Sequence, residues 1–323
     1  MDWNWKAVLR KPLWDARSRK CKRIMRKMEK DPDRFSLQWR NDLVSKYASK
    51  MLDGFNLNVK VVGFENLTNG GPVLLVGNHQ DYSDAFIVLK ALQKKTDEKD
   101  DLNKITTFLA KDTLKHDDLI RYPLELMDVF FLERDNLRKS LEIYKNFGKF
   151  IKTNKTYGIV FPEGTRNNEG KIADFKPGAL KIAQKELIPI IPFTINNSVR
   201  GIDWRRKTKL ETQIIFHKKI PANSFINQST QALASRVQKI VESSFVPPIF
   251  THKETSESSI LKAKQKEQKY LKKENKKNTN EEKQKQKIET QQNKLKIQEE
   301  IETQKFIELE KKKKTKKELK IKK

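Results

Sequence analysis

Between residues 57 and 242 the chain repeats one alternation, in which short apolar runs of strand length are separated by stretches with helical spacing. An apolar run of four to eight residues bounded by turn signals reads as a buried strand. Such strands alternating with helices build a sheet layered with helices. Strands are expected at 58–64, 73–77, 105–110, 129–132, 157–161, 187–195 and 212–220, and helices at 84–92, 135–152, 178–185 and 228–242. Asn69-Gly70-Gly71-Pro72 is a turn before the second strand. Two prolines in 187–195 place that strand near the sheet edge, where a missing N–H costs no ladder bond. The fold class is therefore α/β: one domain over residues 55–248, with a mostly buried β-sheet flanked by helices.

The two ends differ from this centre. Of the formal net charge of +27, much comes from 15 Lys and Arg against 6 Asp and Glu in residues 1–50, and from 24 Lys against 13 Glu in residues 251–323. Basicity of this size favours a polyanion, and both nucleic acid and an anionic membrane surface qualify. Residues 1–54 hold Trp3, Trp5 and Trp14, three of the five tryptophans, amid Lys and Arg. Pro12 breaks or starts a helix there, leaving a short segment and then a helix over 13–28, followed by a second over 35–52. Trp beside cations suits the headgroup region, so the segment reads as helical and membrane-docking. The other reading packs these aromatics on the protein's own core and leaves the charges as a solvated face. Residues 249–323 collapse to Lys, Glu, Gln, Asn and Thr without a sustained heptad, which fits a charged tail that is disordered or a fluctuating helix. Its polybasic end, residues 311–317, would be drawn to anionic lipid. A single cysteine, Cys21, excludes an intramolecular disulfide and fits a reducing compartment. No apolar run approaches the roughly 18 residues that span a bilayer, and no signal peptide is visible, so the chain is expected in the cytosol or lying on a membrane.

Gly77-Asn78-His79-Gln80-Asp81-Tyr82-Ser83-Asp84 joins an apolar strand to a helix start. A histidine with a carboxylate five residues on can act as a base, because the carboxylate sets the tautomer and steadies the imidazolium. Five residues along a helix turn through about 500°, so His79 and Asp84 cannot share one helix. The pair works only with His79 in the loop and Asp84 in the first helical turn, capped by Ser83 or Asp81. Asp81 competes with Asp84 as the partner, and a capped helix with an incidental histidine satisfies the same residues.

A second constellation, Phe161-Pro162-Glu163-Gly164-Thr165-Arg166, follows another strand. A glycine turn exposes backbone N–H groups, a hydroxyl lies beside them, and Arg166 adds a planar fork of donors, which together suit phosphate. Phe130-Phe131-Leu132-Glu133-Arg134 is a further strand end delivering an Arg. If these ends meet the His79 loop, the pocket holds a base and two cations, fitted to a phosphorylated substrate with a hydroxyl. His79, His116, His217 and His252 lie far apart and form no metal-ligand pattern.

In their order and spacing these motifs resemble the glycerolipid acyltransferase family, in particular the 1-acyl-glycerol-3-phosphate acyltransferases. The family's His-four-residues-Asp motif lands on His79 and Asp84, its second on 130–134, its third on 161–166, and its proline-centred fourth on 187–192. Ala110-Lys111 and Phe175-Lys176 also fall where members often have similar residues. Position 81 is Asp where many members have Ser or Thr, and position 133 is Glu where Asp is frequent. The resemblance covers residues 55–245 and implies acyl transfer from a thioester to the sn-2 hydroxyl of lysophosphatidate, giving phosphatidate. It implies His79 as base, Asp84 as its orienting partner, and a phosphate grip made by Arg166, Thr165 and the Gly164 backbone with help from Arg134. Glu163 either organises the loop and the glycerol hydroxyls or pairs with a local Arg. No bound cofactor or metal is expected: the donor, acyl-coenzyme A or acyl-[acyl carrier protein], is a substrate. The implied setting is the cytoplasmic face of the cell membrane, with an anionic membrane surface and acyl carrier protein as partners and no nucleic acid. Other acceptors (glycerol 3-phosphate or another lysophospholipid) and a non-enzymatic basic lipid- or nucleic-acid-binding protein remain the alternatives.

Overall fold

The computed structural model describes residues 4–96, 102–133, 136–167 and 170–248. Its centre is a seven-stranded sheet in the order β1-β7-β6-β2-β5-β3-β4. The strands are β1 (Leu57–Val62), β2 (Val73–Gly77), β3 (Thr106–Lys111), β4 (Phe130–Leu132), β5 (Tyr157–Val160), β6 (Ile190–Asn196) and β7 (Leu210–Phe216). All neighbours are parallel except β6 and β7. The helices are α1 (Trp5–Met28), α2 (Leu37–Gly54), α3 (Ser83–Ala91), α4 (Asp118–Leu126), α5 (Leu137–Asn154), α6 (Pro177–Glu186) and α7 (Thr230–Glu242).

Strand β2 shows why the sheet is a middle layer. All five of its residues are buried, because successive side chains enter different cores. Val73 and Leu75 join the core built with α1 to α4, through residues such as Ile24, Val44, Ile87 and Leu126. Leu74 and Val76 join the one built with α5, α6 and α7, around Phe147, Leu180 and Leu233. The fold is thus the expected α/β sheet between two helical layers.

Three local expectations are corrected. Strand β6 lies inside the sheet, between β2 and β7, despite its prolines. Pro189 precedes the strand. Ile190 exchanges backbone hydrogen bonds with Ile220, and the His217 N–H donates to Pro192 O, so Pro192 presents its backbone to the β7 side. There β7 has already ended at Phe216, and the missing N–H costs no ladder bond.

Pro12 does not break α1, which runs through it from Trp5 to Met28. Ala7 and Trp14, on either side of the proline, bury in one cluster with Phe55, so both halves of the helix are anchored to the same core. Trp14 is therefore taken by the protein's own core. Its ring centroid lies 5.2 Å from that of Phe55 and 5.7 Å from that of Trp204. Helix α1 buries Ala7, Trp14, Cys21 and Ile24, and it exposes Leu9 (74 %) and Leu13 (53 %) with Arg19, Lys20 and Arg23. Trp3 lies outside the described residues, as does the charged tail beyond residue 248.

Helix α4, nine residues long with Pro123 inside, lies in a stretch where no helix is expected from the sequence. The Asp117 side chain accepts from the Leu119 N–H at its start, and Leu126 buries fully in the core it shares with α1 and α2. No helix among the described residues is long and apolar enough to cross a membrane.

Candidate active site

The site forms at the C-terminal ends of β2 and β5, adjacent parallel strands, which is where loops of open α/β sheets gather their ligands. Strand β2 ends at Gly77, where a Cβ would come within 2.4 Å of the Phe193 ring and 2.5 Å of its carbonyl. Only glycine lets the strand end run that close to β6. The Asn78 amide then extends the pairing beyond the strand: it donates to Ile195 O at 2.9 Å and accepts from the Ile195 N–H at 2.8 Å. A side chain standing in for a peptide unit fixes the direction in which His79 leaves the sheet.

His79 is held on its backbone and on its ring. Its N–H donates to Glu163 Oε1 at 2.6 Å, and its carbonyl accepts from the Asn167 N–H at 2.8 Å, so the β5 loop grips both peptide groups. The ring stacks on Phe161 with centroids 4.3 Å apart and planes 20° apart. Nδ1 lies 2.7 Å from Asp84 Oδ2. Asp84 is fully buried in the first turn of α3, where the helix dipole favours an anion. The same Oδ2 accepts the N–H groups of Gln80 at 2.6 Å and Asp81 at 2.9 Å. With donors already converging on Oδ2, the ring nitrogen facing it is assigned as another donor, which leaves Nε2 as the acceptor. Nε2 has no hydrogen-bond partner among the described residues, and the imidazole is 21 % exposed.

Asp81 does not contend for the ring. Its Oδ1 accepts from the Ser83 N–H at 2.9 Å and the Ile202 N–H at 3.1 Å, which ties the start of α3 to the loop between β6 and β7. Burial raises its pKa above the ordinary carboxylate value, and the Asp84 charge adds to that rise against the opposing N–H bonds. The β6–β7 loop is a part of the site that carried no sequence signal. Ser198 donates through its hydroxyl to Gln80 Oε1 at 3.1 Å. Arg206, half-buried, pins the same loop by donating to Gly201 O and Phe55 O.

Glu163 is 2 % exposed and faces backbone with both oxygens, Oε1 as above and Oε2 accepting from the Ala173 N–H at 2.9 Å. Among the described residues Glu163 pairs with no Arg; it joins the β5 loop to His79. Burial pushes its pKa up to about 7, partly offset by those two N–H bonds and by His79, and reinforced by Asp84. Gly164 turns the chain at φ +75°, and Thr165 and Arg166 follow, both exposed. The Arg166 guanidinium carbon lies 3.5 Å from the centroid of the Tyr82 ring. The structure thus brings His79, Asp84, Glu163, Gly164, Thr165 and Arg166 to two touching loops. Arg134 lies outside the described residues. Its neighbour Glu133 follows the end of β4, two strands from β5, and pairs with Lys139 at 2.9 Å. Among the described residues no group of three or more His, Cys, Asp or Glu could hold a metal ion.

Chemically, the arrangement offers an oriented imidazole with one nitrogen open and a guanidinium in the adjacent loop. That suits removing a proton from a hydroxyl borne by a phosphorylated molecule. A family model described as Acyltransferase matches residues 58–196, from β1 to the end of β6. A probable 1-acyl-sn-glycerol-3-phosphate acyltransferase of Mycoplasma genitalium is 30 % identical over 183 residues, which are 54 % of this chain and 66 % of that protein. One of the same description from Mycoplasma pneumoniae is 29 % identical over 226 residues, 67 % of this chain and 82 % of that one. The 1-acyl-sn-glycerol-3-phosphate acyltransferase of Saccharomyces cerevisiae is 31 % identical over half of each chain. The chain thus spans between half and about four-fifths of the length of these relatives. The crystal structure of the 1-acyl-sn-glycerophosphate acyltransferase of Thermotoga maritima shares the fold, with a TM-score of 0.51 and 21 % identity over 64 % of this chain and 78 % of that one.

Proposed function

We propose that this chain is an acyltransferase of the family whose model matches residues 58–196, and that it moves a fatty acyl group from an acyl thioester to the sn-2 hydroxyl of 1-acyl-glycerol 3-phosphate, forming phosphatidate. The observation that carries this reading is the 2.7 Å pair of His79 Nδ1 and Asp84 Oδ2, with Nε2 left open in the loop beside Arg166. The relatives are named for the same reaction.

An alcohol is a weak nucleophile at neutral pH, so its proton must leave as it attacks. The acceptor oxygen forms a bond to the thioester carbonyl carbon while its proton passes to His79 Nε2. Asp84, receiving the Nδ1–H, stabilises the imidazolium that results. The tetrahedral intermediate then collapses, the C–S bond breaks, and the proton on Nε2 goes to the departing thiolate. Atoms and charge balance without a further reactant, and the thioester is a substrate, not a cofactor. Arg166, with Thr165 and the Gly164 backbone, holds the acceptor phosphate and so sets its hydroxyl against the base; Arg134 assists in this reading. Glu163 acts on the reaction by holding the His79 loop.

The reading extends to a membrane. The exposed face of α1 carries Leu9, Pro12 and Leu13 near its start and Arg19, Lys20 and Arg23 further on. An apolar end followed by a basic stretch suits insertion at the boundary of an anionic bilayer. We place the protein on the cytoplasmic face of the cell membrane, taking acyl groups from coenzyme A or acyl carrier protein. The test is transfer from each donor to lysophosphatidate by wild type and His79→Ala side by side. Transfer by the wild type and none by the variant is expected. Wild-type turnover in the variant sinks the mechanism, and no transfer from either donor by the wild type sinks the function.

A further inference from the structure

Tyr82 lies between the base and its orienting carboxylate in sequence, yet it touches neither in the hydrogen-bond network. Its side chain is 53 % exposed, and its hydroxyl has no partner among the described residues. One face of the ring is covered by Arg166, whose guanidinium carbon stands 3.5 Å above the ring centroid. Both partners sit on fixed backbone. Ser83 N and Asp84 N are bonded to Asp81, and Asn167 N is bonded to His79 O.

We propose that Tyr82 is a positioning residue for the acceptor phosphate, holding the Arg166 guanidinium by one face so that its edge is presented to the ligand. The proposal rests on the phosphate role given to Arg166 above. A guanidinium is planar: cation–π stacking uses its face, whereas bidentate phosphate recognition uses N–H groups along its edge. The two contacts are therefore compatible, and the ring can stay in place when the anion arrives. An unstacked surface Arg loses side-chain freedom on binding, and a stacked one has already lost part of it. Because Tyr82 belongs to the His79–Asp84 loop, the stack also ties the phosphate grip to the base and holds phosphate and hydroxyl at a set separation. The ring acts on binding of the acceptor and has no part in proton transfer or in the donor.

The experiment measures KM for lysophosphatidate and for the thioester in neutral detergent micelles. The proteins are wild type, Tyr82→Ala, Tyr82→Leu and Tyr82→Phe, Arg166→Ala, and the Tyr82→Ala/Arg166→Ala double variant. Loss of the ring should raise acceptor KM about fivefold in the Ala and Leu variants. The Phe variant, which keeps the ring and loses only the hydroxyl, should stay at the wild-type value. Donor KM and kcat should remain within about twofold. In the double variant, removing Tyr82 should add nothing to the effect of removing Arg166. A rise in acceptor KM that multiplies onto that of Arg166→Ala overturns the proposal, because the ring would then act independently, for instance against the micelle. So does an acceptor KM for Tyr82→Leu equal to that of wild type. If Arg166→Ala raises acceptor KM and Tyr82→Ala does not, only the role of Tyr82 falls. If Arg166→Ala leaves acceptor KM unchanged, the phosphate reading falls first and takes this one with it.

Discussion

Replacing Glu163 by Gln tests how the site is held together, because the effect changes with pH in a direction the structure sets. Glu163 is buried between two backbone donors, the N–H groups of His79 and Ala173. Burial is the larger influence and lifts its pKa from the ordinary 4.5 to about 7. Below about pH 4.5 the folded and unfolded chains both hold the proton, and stability carries no ionisation penalty. As pH rises, the unfolded chain gives up its proton first, which favours unfolding, and the loss is complete once the folded carboxyl has ionised near 7. The span from 4.5 to about 7, at ~1.4 kcal/mol per pH unit, comes to about 3 kcal/mol. A protonated carboxyl and a glutamine amide each offer one strong acceptor, so the two proteins should start within about 1 kcal/mol of each other at acid pH. By about pH 8 the variant should be more stable than wild type by about 3 kcal/mol. It should also transfer acyl groups more slowly, because one of the two N–H groups loses its acceptor and the His79 loop loosens. Urea unfolding followed by tryptophan fluorescence at several pH values gives the difference curve, from which groups titrating equally in both proteins cancel. A difference that stays flat with pH, or a wild type that gains on the variant as pH rises, would refute the reasoning.

Asp84→Asn can keep an oxygen for the Gln80 and Asp81 N–H groups while removing the charge beside His79. A charge about 4 Å from the imidazolium at an effective dielectric near 20 contributes about 4 kcal/mol, so kcat should fall about 10³-fold with little change in acceptor KM, and a fall under tenfold contradicts the dyad. Arg166→Ala should raise KM for lysophosphatidate and leave an acceptor without phosphate unaffected; equal loss on both rejects a phosphate role. Leu9→Asp with Leu13→Asp alters only exposed positions of α1, so the thermal midpoint should hold while co-sedimentation with anionic vesicles drops. Unchanged sedimentation removes that face as a docking surface. Leu75→Ala, in the fully buried β2, should cost about 2–5 kcal/mol in urea unfolding, and a loss below about 1 kcal/mol denies β2 its place at the centre of the core.

The α/β class, the approximate strand positions and the motifs around His79 and Arg166 were legible in the sequence because each is written in adjacent residues. An apolar run such as 73–77 can be buried on both faces only within a layered sheet. A base five residues before a carboxylate must leave the strand before the helix starts, which is how His79 and Asp84 are placed. What tertiary structure decided was the outcome wherever local preference left more than one option open. Pro12 and Pro192 both have no N–H to give. One sits in a helix that continues through it, with Ala7 and Trp14 buried on either side, and the other faces the residues just past the end of β7. Trp14 beside cations could have faced lipid, but Phe55 and Trp204, far apart in sequence, claim it. Asp81 and Asp84 are both close enough to His79 along the chain. Only the fold brings the Ile202 N–H to Asp81 and leaves Asp84 to the ring, because contacts between distant segments decide which donor each carboxylate receives.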